Sequence, residues 1–93
     1  MMIKTIIISK NAQKDLKQVP KYIQVLLQDW VDDVEDRGLE EVRRIPGYHD
    51  EPLRGERRGQ RSIRLTRAWR AIYRIIDDKV IFVYIEEINK HDY

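Results

Sequence analysis

The apolar residues of this chain change their spacing once, and that change limits the fold more than any other feature. Up to residue 45 they recur at intervals of three or four: Ala12, Leu16 and Val19, then Ile23, Leu26, Leu27, Trp30, Val31 and Val34. This is the period of one helix face. From Ile63 onward they alternate with polar residues, Ile63 and Leu65 against Ser62, Arg64 and Thr66, as in a strand with one buried side. With a β-branched opening segment ahead of them, these patterns predict an α+β fold: an N-terminal strand, a two-helix pair, then a three-stranded antiparallel meander. The helices lie on one face of a twisted, largely antiparallel sheet, and the other face is partly open. Ninety-three residues leave room for one such domain, spanning 1–93.

Local signals set the boundaries. Met2–Ile8 reads as the opening strand, with Ser9 as the N-cap of a helix over Lys10–Val19. Pro20 stops that helix and suits the first turn of the next, which runs to a C-terminal stop at Gly38. Leu39–Ile45 adds one or two helical turns before Pro46-Gly47 ends them. Trp69–Ile76 and Lys79–Ile88 are strands joined by a turn at Asp77-Asp78. Trp30 and Trp69 fall on apolar faces and are expected in the core.

Composition excludes several classes. There is no Cys, so neither a zinc ribbon nor a thiol nucleophile is available, and two distant histidines do not form a metal-binding pattern. No apolar run approaches the ~20 residues that span a bilayer, and Met1–Lys4 does not resemble a secretory leader. A cytoplasmic location is expected, with no membrane, metal or small-molecule cofactor called for.

The net charge of +2 conceals two opposed blocks. Asp29–Glu51 holds nine acidic and three basic residues, whereas Arg54–Arg70 holds seven arginines and a single acid, Glu56. Arginine in this density suits phosphate, whose oxygens the guanidinium fork binds in pairs. Strand alternation turns Ser62, Arg64 and Arg70 outward, with Arg54, Arg57, Arg58 and Arg61 at the rim. Gly55 and Gly59 bracket the loop, where backbone can approach a polyanion. The competing reading is a solvated charged face, or arginines paired with the acidic helix.

Cleavage of RNA by its own 2′-hydroxyl needs a base, cations for the charge that builds on phosphorus, and an acid for the departing 5′-oxygen. Glu51 can serve as base, Arg64 and Arg70 as phosphate clamps, His91 as acid and Tyr93 as an orienting group. DNA, lacking that hydroxyl, is not a substrate for this route.

The run from Glu51-Pro-Leu-Arg-Gly through Ser-Ile-Arg-Leu65 and Trp-Arg-Ala-Ile-Tyr-Arg74, followed by Asn-Lys-His-Asp-Tyr93, resembles the RelE/ParE superfamily of bacterial toxins, closest to its HigB-like and RelE/StbE-type branches. The resemblance implies the RelE-like fold and the toxin of a type II toxin–antitoxin pair. It also implies a cognate antitoxin protein and, in the ribonuclease branches, metal-independent cleavage of mRNA on the ribosome. By position, Glu51 matches the glutamate that YoeB-like toxins use as general base, and Arg70 the strand arginine that RelE-like enzymes place on the scissile phosphate. Ser62 and Arg64 occupy two outward positions where RelE has paired lysines, leaving one cation where RelE has two. His91 and Tyr93 correspond to the C-terminal His/Tyr or Arg/Tyr functions of the ribonuclease branches, with Asp92, one residue away in register, as an alternative for sharing that role. His49, one of the polar outliers just before Pro52, is a candidate substitute for the histidine that some branches carry near this loop, although it does not align with it. The alternative within the superfamily is the ParE-like role, inhibition of DNA gyrase by protein contact.

Overall fold

The computed structural model describes residues 2–88. Strand β1 (Thr5–Ile8) leads into helices α1 (Lys10–Gln18), α2 (Lys21–Arg37) and the single-turn α3 (Leu39–Val42). Strands β2 (Glu51–Pro52), β3 (Gln60–Arg64), β4 (Trp69–Ile76) and β5 (Lys79–Glu87) follow. Caps and breakers fall where the residue types require. Ser9 has extended backbone, and its Oγ accepts the Ala12 amide at 3.1 Å, satisfying one of the donors left open at the α1 N-terminus. Gly38 closes α2 with φ +85°, a value L side chains avoid, and a Cβ there would stand 3.1 Å from the Met2 methyl carbon.

The strands form one sheet in the order β1-β5-β4-β3-β2. β3, β4 and β5 make the expected antiparallel meander. Asp77 and Asp78 both take positive φ, 51° and 61°, as a two-residue type I′ hairpin turn demands. Two features differ from the sequence expectation. β1 pairs in parallel with β5, so the sheet is mixed, and Glu51–Pro52 adds a fifth strand antiparallel to β3. A two-residue strand carries no periodicity to detect, and its proline is tolerated because β2 lies at the sheet edge. The ladder of β1 is also shorter than expected, with residues 2–4 outside it.

The helices cover one sheet face. Ala12, Ile23, Leu27, Trp30, Val31 and Val34 pack from α1 and α2 onto Ile63, Ala71, Tyr73, Val80, Phe82 and Ile85 of the sheet. At the centre Trp30, Tyr73 and Phe82 are fully buried, with ring centroids 5.3–6.0 Å apart in tilted and edge-on contacts. Trp69 packs only partly buried at the core margin.

One irregularity sets the β5 faces. Ile72 pairs with Tyr84 but Tyr73 pairs with Phe82, so Val83 is an extra residue in β5. Val80, Phe82 and Ile85 therefore all turn toward the helices, and Tyr84 and Glu86 turn away. Among the described residues no helix is long and apolar enough to cross a membrane.

Because Ser9 caps α1 and its amide also donates to the Phe82 carbonyl at 3.1 Å, the cap joins helix to sheet. Ser9→Ala keeps the amide bond but removes both Oγ bonds, acceptance from the Ala12 amide and a long donation to the Val83 carbonyl at 3.5 Å, and is expected to destabilise by about 1 kcal/mol, lowering the melting temperature by roughly 4–8 °C in a calorimetric scan.

Candidate functional site

On the face turned away from the helices, the strand register lines residues up in rows. Glu51 of β2 stands opposite Ser62 of β3, which stands opposite Ile72 of β4 and then Tyr84 of β5. In the neighbouring row Arg64 stands opposite Arg70, and Arg70 opposite Glu86. Adjacent strands lie ~4.8 Å apart, so side chains from three strands reach a common space. That space is an open cavity of about 140 Å³ walled by His49, Glu51, Ser62, Arg64 and Arg70, with Leu53 and Ile88 as its apolar margin.

Four residues singled out in the sequence, Glu51, Ser62, Arg64 and Arg70, thus converge. The rim is divided. Arg54 and Arg58 are exposed on either side of the 3₁₀ turn Gly55–Arg57. Arg57 leans over the Tyr84 ring, its guanidinium carbon 5.7 Å from the centroid. Arg61 is not with them. Its neighbours in register are Pro52 and Tyr73, and its guanidinium turns to the helix side, where Nε donates to Asp50 Oδ1 at 2.6 Å. Placing it at the phosphate rim is corrected on this point: strand alternation puts residue 61 on the opposite face from Ser62 and Arg64. His91, Asp92 and Tyr93 lie outside the described residues.

One participant, Glu86, was not singled out from the sequence, and a second, His49, was named there only as a candidate substitute for the family histidine. Glu86 is a second carboxylate of the open face, in addition to Glu51. It accepts from Arg70 Nε and Nη2 on Oε2 at 3.2 and 2.8 Å, and from Arg57 Nη1 on Oε1 at 2.9 Å. Only the bulge brings it there, and an acid within the apolar β5 run was its sole sequence signal. The second is His49, which ends the 3₁₀ turn Pro46–Tyr48 in left-handed backbone, φ 45°, beside Glu51 on the cavity wall. Its segment is tied to α2 by Tyr48, whose hydroxyl donates to Asp33 Oδ2 at 2.7 Å. Burial, and then that bond, push the Tyr48 pKa up to about 12.

Electrostatically the site is a basic surface holding two carboxylates, Glu51 on the cavity wall and Glu86 between Arg57 and Arg70. Among the described residues Arg64 has no ion-pair partner, and from the acidic block only Asp50 pairs with one of the seven arginines. Arg57, Arg70 and Glu86 are all partly exposed, and pairs of that kind contribute about 0–1 kcal/mol. A phosphate oxygen can therefore replace Glu86 at little cost in stability. Among the described residues no three His, Asp or Glu side chains are grouped as a metal site.

An open sheet backed on one side by a helical pair is a fold found in solved toxin structures. YafQ from E. coli strain BL21(DE3) matches with a TM-score of 0.73 and 23% identity over 88% of this chain and 90% of that one. The RelBE2 toxin–antitoxin complex of Mycobacterium tuberculosis matches with a TM-score of 0.67 and 23% identity over 90% and 96%. A YoeB/ParE toxin from Agrobacterium tumefaciens matches with a TM-score of 0.67 and 16% identity over 91% and 99%. At these identities the likeness is one of fold, and the fold is RelE-like. No curated protein sequence matches the chain. The family described as ParE toxin of type II toxin–antitoxin system, parDE, matches residues 6–88, and the chain belongs to it, within the RelE/ParE superfamily of toxins.

Glu86→Gln tests the anion between Arg57 and Arg70. Removing its charge frees Arg57 and Arg70, and the variant is expected to bind a short single-stranded RNA more tightly. The slope of log K against log salt should steepen by about 0.7 for each additional phosphate neutralised, read by fluorescence anisotropy across a salt series.

Proposed function

We propose that this toxin is a metal-independent endoribonuclease that cuts mRNA on the ribosome. The observation that carries the reading is the convergence of one carboxylate, Glu51, and two guanidinium groups, Arg64 and Arg70, on a single open cavity. Glu51 removes the proton from a ribose 2′-hydroxyl, and the resulting oxygen attacks the adjacent phosphorus. Arg64 and Arg70 stabilise the charge that builds on the non-bridging oxygens, Arg70 exchanging Glu86 for phosphate as it does so. His91 protonates the departing 5′-oxygen and Tyr93 orients the phosphate. His49, on the cavity wall, is a second imidazole from which that proton can come. Arg54, Arg57 and Arg58 hold flanking phosphates, of message or of ribosomal RNA. The cavity has no lid among the described residues, so a substrate positioned by the ribosome supplies the orientation that the toxin alone lacks.

Antitoxin binding belongs to the same reading. RelBE2 is a toxin–antitoxin complex, and DinJ–YafQ of E. coli, with a TM-score of 0.72 and 22% identity over 92% of this chain and 93% of that one, is another. A cognate antitoxin that brings acidic side chains over Arg64 and Arg70 would occupy the place of the message.

The family match supports a second reading, ParE-like inhibition of DNA gyrase, which needs no cleavage chemistry. Primer extension on a translated message after induction separates the two. New 5′ ends inside the coding region are expected for the wild-type chain, with a loss of at least about 10²-fold in Arg70→Ala and in Glu51→Gln. Unchanged cleavage in the folded variants overturns the catalytic assignment, and intact message with gyrase-linked DNA breaks selects the second reading.

A further inference from the structure

Between His49 and Glu51, which both line the cavity, stands a residue that points the other way. The Asp50 side chain has no solvent exposure. Both of its carboxylate oxygens are engaged: Oδ1 accepts from Arg61 Nε at 2.6 Å, and Oδ2 accepts from the Tyr73 hydroxyl at 2.6 Å. A charge with no exposure persists only where its lone pairs are met in this way. Neither partner can drift. Arg61 and Tyr73 are directly opposed in the β3–β4 register, and the Tyr73 ring is wedged between Trp30 and Phe82 at the centre of the core. Burial, and then donation to Asp50, raise the Tyr73 pKa, so the hydroxyl stays a donor over the working range. For Arg61, burial acts to lower the pKa, but the Asp50 bond and charge outweigh it and the net shift is upward.

Such an anchor has consequences for its neighbours. Along extended chain, side chains alternate, so fixing residue 50 toward the core directs Glu51, the first residue of β2, to the opposite side. His49 instead reaches the cavity from left-handed backbone, φ 45°, uncommon for a residue with a side chain, and the fixed Asp50 that follows limits how that turn can relax. Without the anchor the short β2 offers little restraint, since only Glu51 and Pro52 belong to it.

We propose that Asp50, held by Arg61 and Tyr73, is a positioning residue: this buried triad fixes where the Glu51 carboxylate and the His49 imidazole stand relative to Arg64 and Arg70. Its catalytic consequence rests on the nuclease reading above. The core thereby reaches the reacting groups through one carboxylate, and neither Asp50 nor Tyr73 touches the substrate.

The test is Tyr73→Phe, which keeps the ring and deletes the hydroxyl, alongside Asp50→Asn, which keeps the shape and deletes the charge. Both use the full chain. Two quantities are read on the folded fraction: amide resonances and relaxation of residues 49–51 in a ¹⁵N-labelled sample, and kcat and KM for cleavage of a translated message. In both variants the 49–51 amides are expected to shift and gain mobility while those of α2 keep their positions. kcat should fall about ten- to a hundredfold with KM within about threefold, the signature of misplaced groups and not of lost binding. Unmoved 49–51 amides overturn the proposal, as does an unchanged kcat in a variant whose amides have moved. If the wild-type chain itself cuts no message, the nuclease reading fails, and the amide measurement still decides whether the triad positions the two residues.

Discussion

The pairing of β4 with its two neighbours is the constraint on which the rest of the molecule depends. Because side chains alternate, a slip of one residue in either ladder would exchange the core face for the charged one. The observed register places Ile63 against Ala71 and Ala71 against Ile85 beneath the helices, and Arg64, Arg70 and Glu86 in a row on the bare face. Packing and charge are thus set by one choice. The bulge at Val83 refines it: Phe82 and Ile85 both reach the core only because the strand accommodates an extra residue between them, and Glu86 meets Arg70 by the same displacement.

The seven arginines between residues 54 and 70 consequently have different tasks. Arg61 belongs to the interior, neutralising a carboxylate with no solvent exposure. Arg57 and Arg70 share Glu86, which holds them extended over the sheet, and Arg64 has no ion-pair partner among the described residues. Two arginines aimed at one anion are already oriented for another, and a partly exposed pair is weak enough to exchange. Preorganised cations of this kind lower a barrier more than the same charges on free side chains. The arrangement suits phosphate chemistry on an open surface.

Much of the fold was legible in the sequence because its signals are local. Ser9, Pro20 and Gly38 punctuate the helices where their chemistry requires, and the alternation through Ile63, Arg64 and Leu65 oriented β3 correctly. The convergence of Ser62, Arg64 and Arg70 was legible for the same reason, since outward positions on adjacent strands share a face, whereas Glu51 was named as a base without a strand to place it. What could not be read depends on pairing between distant segments. The parallel partnership of β1 with β5, the two-residue β2 and the Val83 bulge have no periodicity of their own, and the places of Glu86 and His49 depend on them. Arg61 defies the expectation because charge is a sign of exposure only where no interior partner waits, whereas Asp50 and Tyr73 give it one and a fixed place.

At the centre of this account is a claim about a bond: that Glu51, Arg64 and Arg70 act on a phosphodiester through the neighbouring ribose hydroxyl. The most direct measurement is the chemistry of the ends left on a message after incubation with ribosomes and the purified chain. Internal attack leaves a 2′,3′-cyclic phosphate, or the 3′-phosphate from its opening, on one fragment and a free 5′-hydroxyl on the other. A 2′-deoxy substitution at the cut site should abolish both products. Fragments bearing 5′-phosphate and 3′-hydroxyl ends, or cleavage that persists at the 2′-deoxy position, would contradict the account.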